Sequence, residues 1–157
     1  MKPKTILVPL DGSRLAEEAL GAAIGVVRSG AALLLIRAVE AHGFTLTDPN
    51  EAQVAVVREA ELYLAGVAER MRRVGVKEVE TSVWYGAPVE GIADAARLRK
   101  ADLIVMSTHG RSGLSRLALG SVAEGVLRAT TTPVLLLRPG KSAPVLGPTF
   151  WEVAAHV

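Results

Sequence analysis

The feature that most constrains this chain is an alternation, repeated along its length, of short apolar runs with longer segments of helical period. Such alternation signals strand-crossover-strand units, and with them a parallel sheet covered by helices. Residues 5–10 form the first run, and its lack of in-and-out patterning predicts a strand buried on both faces. Residues 13–28 then place Leu15, Ala19, Leu20, Ala23, Ile24 and Val27 on one helical stripe, with Gly30 in a suitable cap position. Residues 33–39 read as the second strand, 40–49 as a long loop, and 50–74 as a helix with Val57, Leu64, Ala68 and Met71 inward and Gly75 beyond its end. Val79–Tyr85 alternates more evenly, as a strand at a sheet edge does. Pro88 suits the first turn of a helix whose Val89, Ile92, Ala93 and Ala96 share a face. A fully apolar strand at 103–106, a helix over Ser121–Ala129 and a last strand Val134–Leu137 complete five units. The expectation is a three-layer α/β/α domain around an open, doubly wound, five-stranded parallel sheet.

Composition supports one such domain and narrows its partners. At 157 residues the chain has length enough for a single substantial core, and its 50% hydrophobic and 22% charged content is a globular balance. A net charge of only +2 gives no basic face for nucleic acid. The absence of cysteine removes disulfides, thiolate metal ligands and a thiol nucleophile from consideration. The first apolar run is interrupted by Pro9 and Asp11 well short of a signal peptide, and no stretch approaches the ~18 apolar residues of a membrane span. A cytoplasmic setting without membrane association is expected.

Open parallel sheets bind ligands beyond the carboxyl ends of the strands that flank the reversal in strand order, which points to the loops after strands one and four. The first reads Pro9-Leu10-Asp11-Gly12-Ser13 and the second runs from Ser107 through Thr108-His109-Gly110-Arg111-Ser112-Gly113 to Gly120-Ser121. Glycines let backbone approach an anion closely, and a helix starting at Gly120-Ser121 adds unpaired N–H groups and the positive end of its dipole. Together they describe a phosphate cradle.

The run from Ala101 to Gly113, continued by Gly120-Ser121-Val122-Ala123-Glu124, resembles the universal stress protein family, as do Pro9 to Ser13 and Pro133 to Leu137. The resemblance covers about residues 3–138, leaving 139–157 as a Pro- and Gly-containing tail that holds Phe150 and Trp151. ATP-binding members carry glycine, two residues, glycine, nine residues, glycine, then serine or threonine. Gly110, Gly120 and Ser121 match that spacing, while Ser107 stands where the first glycine belongs. The resemblance implies a Rossmann-like sheet of order 3-2-1-4-5 that binds an adenine nucleotide. Pro9, Leu10 and Asp11 would then lie beside the adenosine, Ala38 would offer backbone bonds to the base, and Met106 and Ser107 would line the ribose. Gly110, Gly120, Ser121 and Val122 would bind phosphate oxygens, bridged by Mg²⁺ or Mn²⁺. Arg111 and Gly113 join the cradle or serve only as solvated and turn residues. It also implies a homodimer paired through Val134–Leu137.

Each position has a plainer reading. Asp11 and Ser13 precede a helix and can act as its caps. Ser121 and Glu124 match a capping box that would occupy the serine hydroxyl in the absence of phosphate. Asp102 reads as a solvated turn between helix and strand. Phe44, in the 40–49 loop, can contact a base or sit on the surface. His109 with Ser107 and Ser112 suggests a hydrolase, but the strand-Gly-x-Ser-x-Gly-helix elbow is absent, and His42, His109 and His156 are dispersed. Gly140-Lys141-Ser142 follows the last strand and lacks the first P-loop glycine. The dinucleotide fingerprint is missing after the first strand. Without a P-loop lysine or a water-positioning base, machinery for fast hydrolysis is not evident. The expected function is an ATP-dependent stress-response regulator. The alternatives are a slow ATPase or self-phosphorylating protein using Ser121 or a loop serine, and an interaction module of the same fold without nucleotide.

Overall fold

The computed structural model describes residues 3–27, 30–40, 48–108 and 120–138. Its elements run β1 (Thr5–Pro9), α1 (Arg14–Val27), β2 (Ala32–Val39), α2 (Pro49–Arg73), β3 (Val79–Tyr85), α3 (Pro88–Leu98), β4 (Leu103–Ser107), α4 (Ser121–Ala129) and β5 (Val134–Leu137). All four strand pairings are parallel, in the order β3-β2-β1-β4-β5. The alternation of apolar runs and helical segments therefore predicted both the layers and the sheet. As expected, β3 lies at an edge.

Side chains of the central strands are apolar on both faces, and strict alternation divides them between two cores. Ile6, Val8, Leu33, Leu35 and Val105 pack against Leu20 and Ile24 of α1 and Leu64 and Met71 of α2. Leu7, Leu34, Ile36, Ile104 and Met106 pack on the other side against Ile92 and Ala96 of α3 and Val126 of α4. The two layers thus emerge from the two-residue period of one sheet. No helix among the described residues is long and apolar enough to cross a membrane.

Several local expectations shift. Pro49 belongs to α2 rather than to the preceding loop: Asp48 is the cap, accepting from Asn50 N at 2.7 Å, and Pro49 occupies the first turn, where its missing N–H costs nothing. Val57 is half-buried rather than part of the core, because the buried stripe of α2 begins only at Ala60. Ala93 is likewise half-buried, and Ala95 takes its place beside Ile92 and Ala96. The buried stripe of α1 includes a carboxylate, Glu17. Asp102 lies in the turn between α3 and β4, as expected, but it also has partners there. Its Oδ2 accepts from Lys4 N at 2.7 Å and Thr5 N at 2.9 Å, joining the start of β1 to the approach of β4.

Candidate functional site

Between β1 and β4 the strand order reverses, and the crossovers from these two neighbours leave to opposite layers. A gap at the carboxyl ends is the geometric consequence. A cavity of about 210 Å³ opens there. The end of β1 contributes Pro9, Leu10 and Asp11, β2 contributes Ala38, and β4 contributes Met106 and Ser107. Gly120 and Val122 close it from the start of α4.

The structure thus brings together most of the residues singled out in the sequence. Ser121 is adjacent but exposed, and it is not part of the lining. Gly110, Arg111 and Gly113 lie outside the described residues, as do His109, Ser112, Phe44 and the 139–157 tail. Four further lining residues, Ala16, Pro88, Ile92 and Ala123, come from near the starts of α1, α3 and α4 and were not assigned to the site from the sequence. The signal for Pro88 was present: a proline opening the helix after an edge strand marks a helix start at the ligand-binding end of the sheet.

Local geometry decides between the competing readings of the caps. Ser13 caps α1, its Oγ accepting from Ala16 N at 3.1 Å, and Asp11 Oδ1 accepts from Ser13 N at 2.8 Å. The turn is tight enough that Gly12 adopts φ +86°, a conformation side chains with a Cβ rarely take. The capping box at Ser121 does not form. Gly120 is the cap and Ser121 the first helical residue, while Glu124 pairs with Arg128 at 2.7 Å. Neither α3 nor α4 has a side-chain cap at its start, so both helices present first-turn N–H groups near the cavity without a side-chain acceptor.

Two buried polar atoms close to this region have no hydrogen-bond partner among the described residues. One is Ser107 Oγ, on a residue of the cavity wall. The other is the indole nitrogen of Trp84, which packs beside the core containing Met106 and Ile92 and stands opposite Ala38 in the β2–β3 ladder. A buried donor left unpaired is costly, and such atoms concentrate where a ligand or water completes the bonding. The cavity is otherwise apolar, with Pro9, Leu10, Ala38, Ile92 and Met106 offering a surface suited to a flat ring.

Behind Asp11 lies a second layer of charge. Arg37 of β2 places its guanidinium 5.0 Å from the centroid of the Tyr63 ring and 3.0 Å from Glu59 Oε1. Tyr63 in turn donates its hydroxyl to Glu17 at 2.8 Å, and Arg70 donates to the other Glu17 oxygen at 2.7 Å. Burial, followed by the bond to Glu17 and its charge, holds the Tyr63 phenol well above the ordinary tyrosine range. Arg70 opposes this, and the Asp11 carboxylate adds to it.

The chain and its fold have clear relatives. The model of the universal stress protein family matches residues 2–138. A chain of Staphylococcus aureus (strain USA300) that carries the universal stress protein name is 34% identical over 139 residues, spanning 86% of this chain and 84% of that one. Among solved structures, the hypothetical protein MJ0577, the subject of a structure-based assignment of biochemical function, is 27% identical with a TM-score of 0.77, covering 90% of this chain and 100% of that chain. A universal stress protein solved in complex with cAMP is 28% identical with a TM-score of 0.62, covering 88% and 98%. A family member from Burkholderia pseudomallei is 30% identical with a TM-score of 0.67, covering 85% and 95%.

Proposed function

The chain belongs to the universal stress protein family, and from that premise we propose that it is a regulatory module that binds ATP in the cavity at the reversal of strand order. The observation that carries this reading is the meeting, on one cavity, of Asp11, Ala38, Met106 and Ser107 with the start of α4 at Gly120 and Val122. The relative solved with cAMP supports it, since cAMP and ATP share their adenosine.

The volume suggests how the ligand is divided. About 210 Å³ is less than the ~300–1,000 Å³ of sites that enclose a whole small molecule. Base and ribose therefore occupy the apolar pocket, and the phosphates extend toward Gly120, Ser121 and Val122. In this reading Asp11 accepts from an amino group or hydroxyl, because a carboxylate would repel phosphate. Ala38 bonds the base through its backbone, and Ser107 reaches the ribose. Gly110, Arg111 and Gly113 complete the cradle by their place in the motif. The failure of the capping box leaves Glu124 committed to Arg128, so no carboxylate competes with phosphate at the Ser121 N–H. A Mg²⁺ or Mn²⁺ ion carried by the phosphates supplies charge neutralisation.

Equilibrium binding of ATP to the wild type and to Gly120→Val tests the reading. ATP should bind and raise the melting temperature of the wild type, and the branched side chain at the cavity wall should abolish both effects. Absence of any ATP-dependent shift at millimolar ligand would overturn it. Sustained phosphate release that disappears in Ser121→Ala would favour the catalytic alternative. We further propose pairing of two copies through β5, an edge strand on which Leu135 is 38% exposed. Sedimentation at micromolar concentration should give a dimer, and Leu135→Lys should weaken it.

A further inference from the structure

We propose that Arg37 is a positioning residue for the nucleotide, holding Asp11 at the cavity by closing off, with the face of its guanidinium, the space beside Gly12. This rests on the nucleotide reading given above. It adds a residue on the opposite side of the sheet from α3 and α4, outside the cavity lining.

The geometry is that of a plate standing over a turn. A Cβ placed on Gly12 would lie 3.4 Å from Nη2, 3.5 Å from Cζ and 3.6 Å from Nη1 of Arg37. Three nearly equal distances mean that the guanidinium presents its face, not its edge, to the place a Gly12 side chain would take, at ordinary contact distance from it. Its other contacts are also fixed: the Tyr63 ring at 5.0 Å and Glu59 Oε1 at 3.0 Å. Tyr63 is itself anchored, because its hydroxyl is committed to Glu17, and Glu17 is held by Arg70. The Arg37 side chain is 16% exposed, so it has little freedom to leave the stack.

The turn needs such support. Gly12 is held at φ +86°, and a glycine there leaves the chain many alternative conformations. The Asp11–Ser13 hydrogen bond at 2.8 Å is local and exposed to water, and so restrains the turn only weakly. Asp11 is both part of the cavity wall and close enough to Tyr63 for its charge to be felt there. Asp11 thus lines the cavity while its chain neighbour Gly12 lies beside the guanidinium, so a shift of Arg37 frees the turn that carries the carboxylate. Lysine cannot substitute, since an ammonium has no plane to lay against a backbone or a ring.

Arg37 also has a purely structural role open to it, as a cation offsetting Glu59. A double-mutant cycle separates the two. ATP affinity would be measured for the wild type, Arg37→Ala, Arg37→Lys, Asp11→Ala and the Arg37→Ala, Asp11→Ala pair, with the melting temperature of each recorded without nucleotide. Arg37→Ala should weaken ATP binding about tenfold, Arg37→Lys should lose nearly as much, and Arg37→Ala should cost less than about twofold once Asp11 is absent. Should Arg37→Ala fail to fold, Glu59→Gln serves, because it releases one side of the stack from an exposed position; a two- to threefold loss that again vanishes without Asp11 is expected. Additive losses, or full binding by Arg37→Lys, would overturn the positioning role while leaving the nucleotide reading intact. A wild type that binds no ATP would overturn both.

Discussion

Asp102 and Thr5, 97 positions apart, are joined by a hydrogen bond from Thr5 N to Asp102 Oδ2 at 2.9 Å, and the same oxygen accepts from Lys4 N at 2.7 Å. The two backbone bonds, Thr5 first, hold the Asp102 carboxyl below the usual carboxylate range. Its stabilisation is therefore present above the unfolded pKa near 4 and is lost as pH falls through the lower folded value. Asp102→Ala should unfold at lower urea than the wild type at pH 7. The gap between the two should close under strongly acidic conditions. A gap independent of pH would remove the charge from the explanation.

Helices α3 and α4 touch most closely where Gly125 faces Val89. A Cβ on Gly125 would meet Val89 Cγ2 at 2.6 Å and Cγ1 at 3.1 Å, and valine is stiff at χ1. Gly125→Ala should therefore destabilise by about 1–3 kcal/mol through overpacking, offset in part by up to ~1 kcal/mol of helix propensity. Denaturant unfolding of Gly125→Ala, Val89→Ala and the double variant checks this. The double variant should recover part of the loss, and simple additivity would rule out the steric account.

The Glu17, Tyr63 and Arg70 cluster ties α1 to α2 beneath the apolar stripe. Glu17→Ala strands two donors and should cost about 2 kcal/mol in chemical denaturation. The Tyr63 phenol gives the cluster a signature in pH. Its pKa is raised, so the stability gained from the hydroxyl is complete below the unfolded pKa of about 10 and is lost as pH rises through the higher folded value. The difference in unfolding free energy between wild type and Tyr63→Phe should stay level up to about pH 10 and shrink beyond it. A difference that does not change at alkaline pH would exclude the bond to Glu17 as its source.

Local periodicity carried most of the fold because the three central strands, with both faces covered, have an unmistakable apolar run, and the intervening helices have a one-sided stripe. Pairings between distant residues were not accessible in that way. Asp102 looked like a solvated turn because its partners are backbone N–H groups that any sequence would supply. Ser121 and Glu124 satisfied the capping-box spacing, yet the helix starts one residue earlier than that box requires, with Gly120 as its cap. Glu17 was the recoverable omission: it sits three residues before Leu20 and seven before Ile24, squarely on the buried stripe, and a carboxylate there demands a partner. At the site, the loops after β1 and β4 were evident from the rule that ligands gather where strand order reverses, whereas Ala38 at the end of β2 was reached only through the family resemblance. Arg37 was passed over because β2 was read for its apolar residues, and its place beside Gly12 exists only once a strand, a loop and a helix have come together.

Ser107, in the cavity wall, keeps a buried hydroxyl with no partner among the described residues. An unsatisfied buried donor costs about 1–3 kcal/mol, so Ser107→Ala should make the nucleotide-free protein more stable, by about 1 kcal/mol. If the hydroxyl finds its partner in bound nucleotide, the same change should weaken ATP binding by roughly fivefold, the equivalent of one neutral hydrogen bond of about 1 kcal/mol. Stability and affinity would then move in opposite directions on removal of a single oxygen. Melting temperature without ligand and calorimetric affinity with ATP measure the two. A variant that gains stability and binds ATP as tightly as the wild type would show that the hydroxyl makes no bond to the nucleotide.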